Sequence, residues 1–420
     1  MTDNNGTEYN NDETSADEQQ ESSLKKIFET YGTDSGYSIE DITESGKYLR
    51  KQNPCLKTFV YISLGLFLVS LILRIVLANN PEGGEFFYRY ITRYLQGAFA
   101  FVTSFIPFSL GETIVIAVPF VLIVILVLFI KYIIKRDLYR AIRLCLCIIV
   151  TGSMIMANYF LNLSMLYCRP SLSQLSGISD EAPTQDELFS AAIVMAVRLD
   201  TLIKDGKVRF TDNGSVLCPY TFEELDEKIE KAYDEYSERN NWISPYGGKC
   251  KIIALSDYMT YTHISGIYTQ YTGETNININ YPQYVICSTM AHEKAHQRGI
   301  APEDEANLTA FFVLCESGDP YLEYCGYMSV IANIMSSCLD TSEKLYYYGI
   351  YPYIPKQVFT EFSAFSEFFR KYENSTASEV ASAANDTYLK RNGESDGVMS
   401  YDMITDMAVQ YIVKDIMEES

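Results

Sequence analysis

Histidine, tryptophan and the common ligand-binding motifs are scarce in this chain. Its 420 residues include three histidines and one tryptophan, and none of its ten cysteines forms a CxxC pair. It has no glycine-rich phosphate loop and no nucleophile elbow, which argues against a nucleotide-binding protein or a serine hydrolase. The net charge of −21 argues against nucleic acid as a partner, because phosphates are neutralised by Lys and Arg.

Lys and Arg are missing from the first two dozen positions, MTDNNGTEYNNDETSADEQQESSL, which also contain almost no large apolar residues. Such a segment cannot bury enough surface to offset the entropy lost on ordering. We therefore expect residues 1–56 to form an acidic, disordered tail.

Three apolar runs follow the tail, at 59–78, 113–134 and roughly 144–166. The first two are long enough to cross about 30 Å of hydrocarbon. The third contains Asn158 and Asn162, so a buried core helix is the alternative to a membrane span. These runs predict a membrane region at 57–167 with the lipid bilayer as a partner.

The basic residues beside the runs predict the orientation, because Lys and Arg accumulate on the cytoplasmic side. They form two groups, one before the first run and one between the second and third: Lys47, Arg50, Lys51 and Lys57, then Lys135, Arg136, Arg140 and Arg143. The N-terminus is therefore expected in the cytoplasm of a multi-pass cell-membrane protein, with residues 168–420 as an extracytoplasmic domain. The aromatic loop between the first two runs, with Arg89 and Arg93 on its polar side, is expected in the outer interface.

Two of the three histidines occur in the pattern HEKAH, at His292 and His296. Positions i and i+4 lie on one face of a helix, so both imidazoles can reach one metal ion. Glu293 lies between them and is the expected catalytic base. The pattern predicts a Zn²⁺ site, and the alternative is an ordinary helix with two polar histidines.

A catalytic zinc ion needs a third protein ligand and one open position. No histidine follows His296, so the third ligand is expected to be a carboxylate after the turn at Gly299 and Pro302. Glu303 and Asn307 have the E-x-x-x-D/N spacing of zincins that use a Glu ligand, in which the second residue supports a ligand histidine. Glu303 is favoured, and Glu305 remains the alternative.

The segment HEKAHQRGIAPEDEAN resembles the signature of an uncharacterised family of bacterial membrane proteins, domain-of-unknown-function family 3810, within the zincin peptidase superfamily. GIYTQYTGETNININYP, NDTYLKRNGESDGVMSYDMITDM and the three apolar runs match the family too, so the resemblance covers the chain from about Lys57. It departs from other HExxH helices at Lys294, a position that is more often apolar. The interval from His296 to Glu303 is also shorter than in zincins with a Glu ligand generally.

The resulting fold expectation is α+β, mainly α: three transmembrane helices followed by a zincin-like domain with a small β-sheet and an HExxH helix. Segments such as TQDELFSAAIVMAVRLDTLI and TFEELDEKIEKAYDEYSER open with Thr before acidic residues, as helices do. KIIALS, YTHISGIYTQ and ETNININ have strand-like composition, and ETNININ is the expected edge for an extended substrate.

The expected function is zinc-dependent hydrolysis of peptide bonds in a peptide or protein substrate outside the cytoplasmic membrane. His263 is a candidate oxyanion stabiliser, with a structural histidine as the alternative. A non-catalytic zinc-binding sensor or partner-binding membrane protein is the main alternative function. A transport or assembly component with a structural site is the third.

Overall fold

The computed structural model describes residues 54–373, 375–392 and 401–419. The predicted disordered tail lies almost entirely outside the described residues, as do residues 393–400 of the C-terminal segment that resembles the family. The described part is mainly helical, with two small sheets. The expected fold class is confirmed at that level.

The helices and strands are given in chain order. The helices are α1 (Pro54–Leu77), α2 (Pro81–Phe87), α3 (Arg93–Thr103), α4 (Leu110–Ile134), α5 (Leu138–Tyr159), α6 (Leu172–Ser176), α7 (Gln185–Lys204), α8 (Phe222–Arg239), α9 (Ser256–Met259), α10 (Gln283–Gln297), α11 (Glu303–Cys315), α12 (Pro320–Thr341), α13 (Glu343–Leu345), α14 (Lys356–Arg370), α15 (Thr376–Asn392) and α16 (Tyr401–Glu419). The strands are β1 (Arg209–Phe210), β2 (Val216–Leu217), β3 (Cys250–Ile252), β4 (Gly266–Thr269) and β5 (Glu274–Ile277). Short π-helical turns (Tyr88–Thr92, Phe160–Ser164 and Tyr346–Ile350) and 3₁₀ turns (Leu166–Cys168, Thr260–Thr262 and Tyr351–Tyr353) connect several of them.

Three helical stretches are long and apolar enough to cross a membrane: Cys55–Leu77, Leu110–Ile134 and Leu138–Ser164. They coincide with the three predicted runs, and the weakest run is a long helix like the others. The third stretch begins several residues earlier than predicted. Arg140 and Arg143 therefore lie in its first turns rather than in the connection before it.

The chain divides into two compact units. The described residues of the first unit are 54–67 and 118–154, all within α1, α4 and α5 or the turn joining the last two. The second unit contains 68–117 together with 155 onward. This second unit is larger than the predicted domain at 168–420, because it includes the whole loop between α1 and α4.

The three-stranded sheet of the second unit has the strand order β3-β5-β4. β3 runs parallel to β5, and β4 pairs antiparallel with β5 from Gly266↔Ile277 to Thr269↔Glu274. The prediction that ETNININ forms the free edge is wrong, because this segment is the buried central strand β5. The edge strands are β3 and β4, because each pairs only with β5.

The helical core of the second unit surrounds α12. This helix packs against α10, α11, α7 and α16, and its tyrosines, isoleucines and Cys325 are buried there. The predicted starts of α7 and α8 are confirmed: Thr184 and Thr221 each accept a hydrogen bond from the backbone three residues later, and a Glu side chain returns it. These caps satisfy backbone groups that a helix otherwise leaves unpaired.

The loop between α1 and α4 is tied to the end of α10 by Tyr88 and Arg169. The Tyr88 hydroxyl donates a 2.5 Å hydrogen bond to the carbonyl of Arg298, and the Arg169 guanidinium lies 3.7 Å from the Tyr88 ring. Arg169 also donates to the carbonyls of Gly299 and Trp242 and pairs with Glu85 at 2.7 Å. The loop between α1 and α4 therefore packs against the turn that follows α10.

Replacing Arg169 by Met should destabilise the full chain strongly. The change leaves two buried carbonyls without a donor and Glu85 without its inner partner, at a cost of roughly 3–5 kcal/mol. Arg239→Met is the matched control, because Arg239 is exposed and its single ion pair with Glu316 spans 2.9 Å. Thermal unfolding in detergent should show a much larger fall in the unfolding temperature for Arg169→Met than for Arg239→Met. Equal falls in the two variants would contradict the role assigned to Arg169.

The buried Glu361 of α14 should make stability depend on pH. Burial raises the pKa of Glu361 from 4.5 to about 7, while a hydrogen bond from the Val216 backbone opposes the rise. The folded protein thus holds a proton that the unfolded chain releases, so stability present below pH 4.5 is lost as the pH rises through about 7.

Glu361→Gln should remove this loss, which amounts to at most about 3 kcal/mol. Thermal unfolding of the wild type and the variant, measured from about pH 5 to about pH 8, checks the sign. Glu367→Gln on the exposed face of the same helix is the control. Identical pH profiles for wild type and Glu361→Gln would contradict the assignment.

Candidate metal centre

The tight turn between α10 and α11 builds the site. Helix α10 ends at Gln297, and Gly299 adopts φ +102°, a conformation that glycine adopts without strain. A Cβ at Gly299 would lie 2.2 Å from the Tyr88 ring, so the position also requires the absence of a side chain. Helix α11 then begins at Glu303, which returns over the last turns of α10.

His292, His296 and Glu303 form a compact group of possible metal ligands, the only such group among the described residues. The two Nε2 atoms are 3.0 Å apart. Glu303 Oε2 lies 3.2 Å from His292 Nε2 and 3.6 Å from His296 Nε2. The structure therefore brings together the two predicted histidines and the favoured carboxylate.

These separations fit a zinc ion. A tetrahedral site with bonds of about 2.0–2.1 Å holds its ligand atoms about 3.3 Å apart. The three measured distances lie on either side of that value. Two imidazoles and one carboxylate also match the donor set of catalytic zinc sites, in which the fourth position stays open.

The ring of His296 is oriented by the turn itself. Its Nδ1 lies 2.7 Å from the carbonyl of Ile300, so an Nδ1–H donor would leave the Nε2 lone pair facing the group. The Nδ1 of His292 is buried and has no hydrogen-bond partner among the described residues. The backbone carbonyl of Ile300 thus orients the ring of His296.

The three side chains of the group are complementary in charge. Burial opposes a charge on His296, but the Glu303 carboxylate outweighs it and raises the pKa of His296 to about 9. Desolvation likewise opposes ionisation of Glu303, yet the imidazoles hold its pKa well below the ordinary value. A divalent cation would replace the proton on His296 and satisfy the same carboxylate.

Glu293 lies beside this group, buried against the edge strand. A Cβ built on Gly266 of β4 would come within 2.7 Å of Glu293 Oε1, so only glycine leaves room for the carboxylate there. Burial raises the pKa of Glu293, and the neighbouring imidazoles of His292 and His296 oppose the rise. A carboxylate with a raised pKa and an edge strand beside it suits proton transfer.

The remaining carboxylates of the turn lie elsewhere. Glu305 Oε1 accepts a 2.8 Å hydrogen bond from the backbone of Leu172, at the start of α6, and does not join the group. Asp304, between Glu303 and Glu305 in the chain, is buried. Asn307 is exposed, and within the described residues its side chain forms no hydrogen bond with either histidine. The carbonyl of Ile300 takes the orienting role that was predicted for Asn307.

His263 is engaged outside the group. Its Nε2 lies 2.9 Å from the carbonyl of Tyr372, and its ring packs on Phe369 at 4.6 Å between centroids. The residue ends the 3₁₀ turn Thr260–Thr262 with φ +61°. These contacts favour the structural alternative over the oxyanion-stabilising role.

The opposite face of α10 carries buried charges that sequence reasoning missed. Lys294 is fully buried and pairs with Asp226 at 2.8 Å and Glu230 at 2.6 Å, both on α8. Arg298 pairs with Glu230 at 2.8 Å and Asp234 at 2.7 Å. Burial opposes the charge on Lys294, but the carboxylates outweigh it and keep its pKa above the ordinary value.

A signal for this network was present in the sequence. The acids at 226, 230 and 234 repeat every four residues along one face of α8, and the bases at 294 and 298 have the same spacing. The unusual Lys294 inside HEKAH is thus the centre of an ion-pair network. Its charge is held by α8 and is not directed at the metal group.

Metal content of the full chain tests the ligand set. One zinc per chain is expected for the wild type, with binding abolished by His292→Ala or His296→Ala. Glu303→Gln should weaken zinc affinity by more than the roughly 10–100-fold loss that follows removal of a residue supporting a ligand. Glu305→Gln is the matched control, because its amide oxygen can still accept from Leu172. Zinc lost only in Glu305→Gln would contradict the assignment of Glu303.

Comparison with known proteins gives one family. The family described as "Protein of unknown function (DUF3810)" matches residues 85–409. No curated protein and no solved structure matches the chain. The matched region begins in α2 and includes α3, the sheet, α10 and α11.

Proposed function

Because the chain belongs to the DUF3810 family of proteins of unknown function, its reaction has to be inferred from the site, and we propose that it is a membrane-anchored zinc metallopeptidase. The observation that carries the proposal is the tetrahedral spacing of His292, His296 and Glu303 beside the buried Glu293. The resemblance of HEKAHQRGIAPEDEAN to zincins points the same way. Zn²⁺ is the cofactor that this donor set fits best.

The chemistry divides between the ion and Glu293. Zinc held by the three ligands supplies Lewis-acid polarisation of a carbonyl group and acidifies water. Glu293 then acts as general base, accepting the proton of the attacking water, and as general acid, delivering that proton to the leaving amine. Its raised pKa supports both roles, because a carboxyl closer to neutrality both accepts and releases a proton.

The edge strand β4 supports an extended peptide as substrate. β4 pairs with β5 on one side only, and Gly266 brings its backbone to the Glu293 carboxylate. An extended chain added at this edge would run past the carboxylate with its peptide bonds in reach. The absence of a side chain at Gly266 lets the Glu293 carboxylate lie against the strand.

The basic residues beside the apolar runs support an extracytoplasmic site. Lys57 lies in the first turn of α1, and Lys135 and Arg136 follow α4, whereas α4 begins on the side of the candidate metal centre, where Glu274 contacts it. By the positive-inside rule the end of α4 faces the cytoplasm and its start faces outward. The peptidase would then act at the outer surface of the cell membrane.

Glu293→Gln tests the catalytic proposal. The variant should keep one zinc per chain and lose peptide hydrolysis by about 10²–10⁴-fold or more, because the amide cannot accept the proton. The measurement is the appearance of new amino termini in a peptide mixture reconstituted with the full chain in lipid vesicles. Glu305→Gln, which changes another buried carboxyl nearby, should retain both zinc and hydrolysis.

The alternative of a zinc-dependent sensor predicts another result. If wild type and Glu293→Gln both bind zinc and neither produces new amino termini from any peptide, the peptidase proposal is wrong. The zinc-binding sensor or partner-binding protein then becomes the better account. Hydrolysis that persists in Glu293→Gln would instead place the base elsewhere.

A further inference from the structure

The loop between α1 and α4 has its polarity reversed relative to a helix in water. Its small and polar residues face the domain and are buried: Thr92, Gln96, Gly97, Ala100 and Thr103. Phe87 and Tyr88 are buried as well, but most of its large aromatic residues are exposed. We call five of these exposed residues the aromatic face: Phe86, Tyr90, Tyr94, Phe101 and Phe105. A surface helix of a water-soluble domain shows the opposite arrangement, with its apolar stripe inward.

The two helices that flank the loop in the chain indicate what covers the aromatic face. Helix α1 ends at Leu77 just before the loop, and α4 begins at Leu110 just after it. Both helices are apolar enough to cross a membrane, so the loop is held at a membrane surface at both ends. Amphipathic segments there bury their apolar side about 5–10 Å into the boundary between headgroups and acyl chains. Lipid is therefore the occupant of the aromatic face.

The start of α4 is fixed to the sheet that carries the edge strand. Glu274 of β5 accepts hydrogen bonds from the backbone of Leu110 at 3.2 Å and of Gly111 at 2.9 Å. Glu112 accepts from the backbone of Ala254 and Leu255, both at 2.9 Å. Carboxylates at a helix N-terminus are favourable there, so these contacts hold α4 and the sheet in one arrangement.

The strand β4 connects the start of α4 with the Glu293 carboxylate, so its length gives the distance between them. A Cβ on Gly111 would lie 2.8 Å from Thr269 Oγ1, at one end of β4, and a Cβ on Gly266, at the other end, would meet Glu293 at 2.7 Å. The strand rises by about 3.3 Å per residue, so the two ends are about 10 Å apart. The whole path from Gly111 to Glu293 is therefore on the order of 15 Å.

We propose that the substrate is a polypeptide anchored in the same membrane, cut within about five extended residues of the bilayer surface. The start of α4 marks that surface, and lipid contact of the aromatic face holds the site at a fixed height above it. For a bond farther from the membrane to reach Glu293, the substrate chain would have to fold back. The inference rests on the proposed peptidase function and adds a substrate class to it.

The height of the site can be measured without activity. Trp242 is the single tryptophan and is buried, so it gives a constant background in every variant. The fluorescence of Phe101→Trp reports the distance of the aromatic face from the lipid headgroups. Ile267 is 48% exposed on β4, so Ile267→Trp reports the same distance for the site. Val197→Trp is the control, because Val197 is 52% exposed on α7, which is separated from α3 by α10 and α12.

Quenching is measured in vesicles of phosphatidylcholine and phosphatidylglycerol that contain lipids with a nitroxide on the headgroup. The tryptophan fluorescence of Phe101→Trp and Ile267→Trp should be quenched, and the quenching of Val197→Trp should be several-fold weaker. Equal quenching of Ile267→Trp and Val197→Trp, with Phe101→Trp strongly quenched, would overturn the inferred height.

Cleavage is measured on peptides held in the same vesicles by one apolar helix. One cleavable sequence is placed about 4 residues or about 20 residues beyond the helix, or is supplied as a free peptide. The near bond should be cut at least tenfold faster than the distant bond and the free peptide, and Glu293→Gln should cut none of them.

The outcomes separate the two proposals. Equal rates for near, distant and free sequences would overturn the substrate class and leave the peptidase proposal standing. No cleavage of any sequence by the zinc-loaded wild type would overturn the peptidase proposal and the substrate class with it. Quenching of Ile267→Trp would still fix the height of the metal centre in that case.

Discussion

The pairing of buried charges between α8 and α10 is the constraint on which the candidate metal centre depends. Lys294 lies two residues from each histidine, and at about 100° per residue it points to the side of α10 opposite both of them. Its ammonium group remains charged in the interior because Asp226 and Glu230 both contact it. An apolar contact would tolerate a small rotation of α10, whereas these hydrogen bonds are directional. The pairing therefore fixes which face of α10 is turned toward Glu303.

The same C-terminal end of α10 is also fixed by residues from distant parts of the chain. Gln297 donates to the carbonyl of Gly273 at 2.7 Å and accepts from the backbone of Gly248 at 2.9 Å. Tyr88 and Arg169 close over the turn that follows, at Gly299. The position of Glu303 thus depends on the loop before α4 as well as on α11. A domain that begins after the third apolar helix would keep Arg169 but lack Tyr88, and the turn would lose the hydrogen bond from the Tyr88 hydroxyl.

Features set by local spacing could be predicted from the sequence. The three apolar helices, the capped starts of α7 and α8, and the shared face of His292 and His296 all follow from periodicity or from capping residues. The choice between Glu303 and Glu305 depends on the turn geometry at Gly299, which spacing alone leaves open. The zincin analogy favoured Glu303, and the structure groups it with the histidines. Strand order and the loop contacts join residues far apart in sequence, so β5 was misassigned to the edge and the packing of Tyr88 on Gly299 was not foreseen.

The separation of Tyr88 and Arg298 along the chain bears on the timing of synthesis. The two residues form a hydrogen bond across 210 positions. At about 5–20 residues per second, the ribosome reaches the second of them roughly 10–40 s after the first. The first two apolar helices leave the ribosome within that interval and can enter the membrane before α10 exists. The group of His292, His296 and Glu303 is therefore completed only after the three apolar helices have been synthesised, so the nascent chain carries no assembled group before that point.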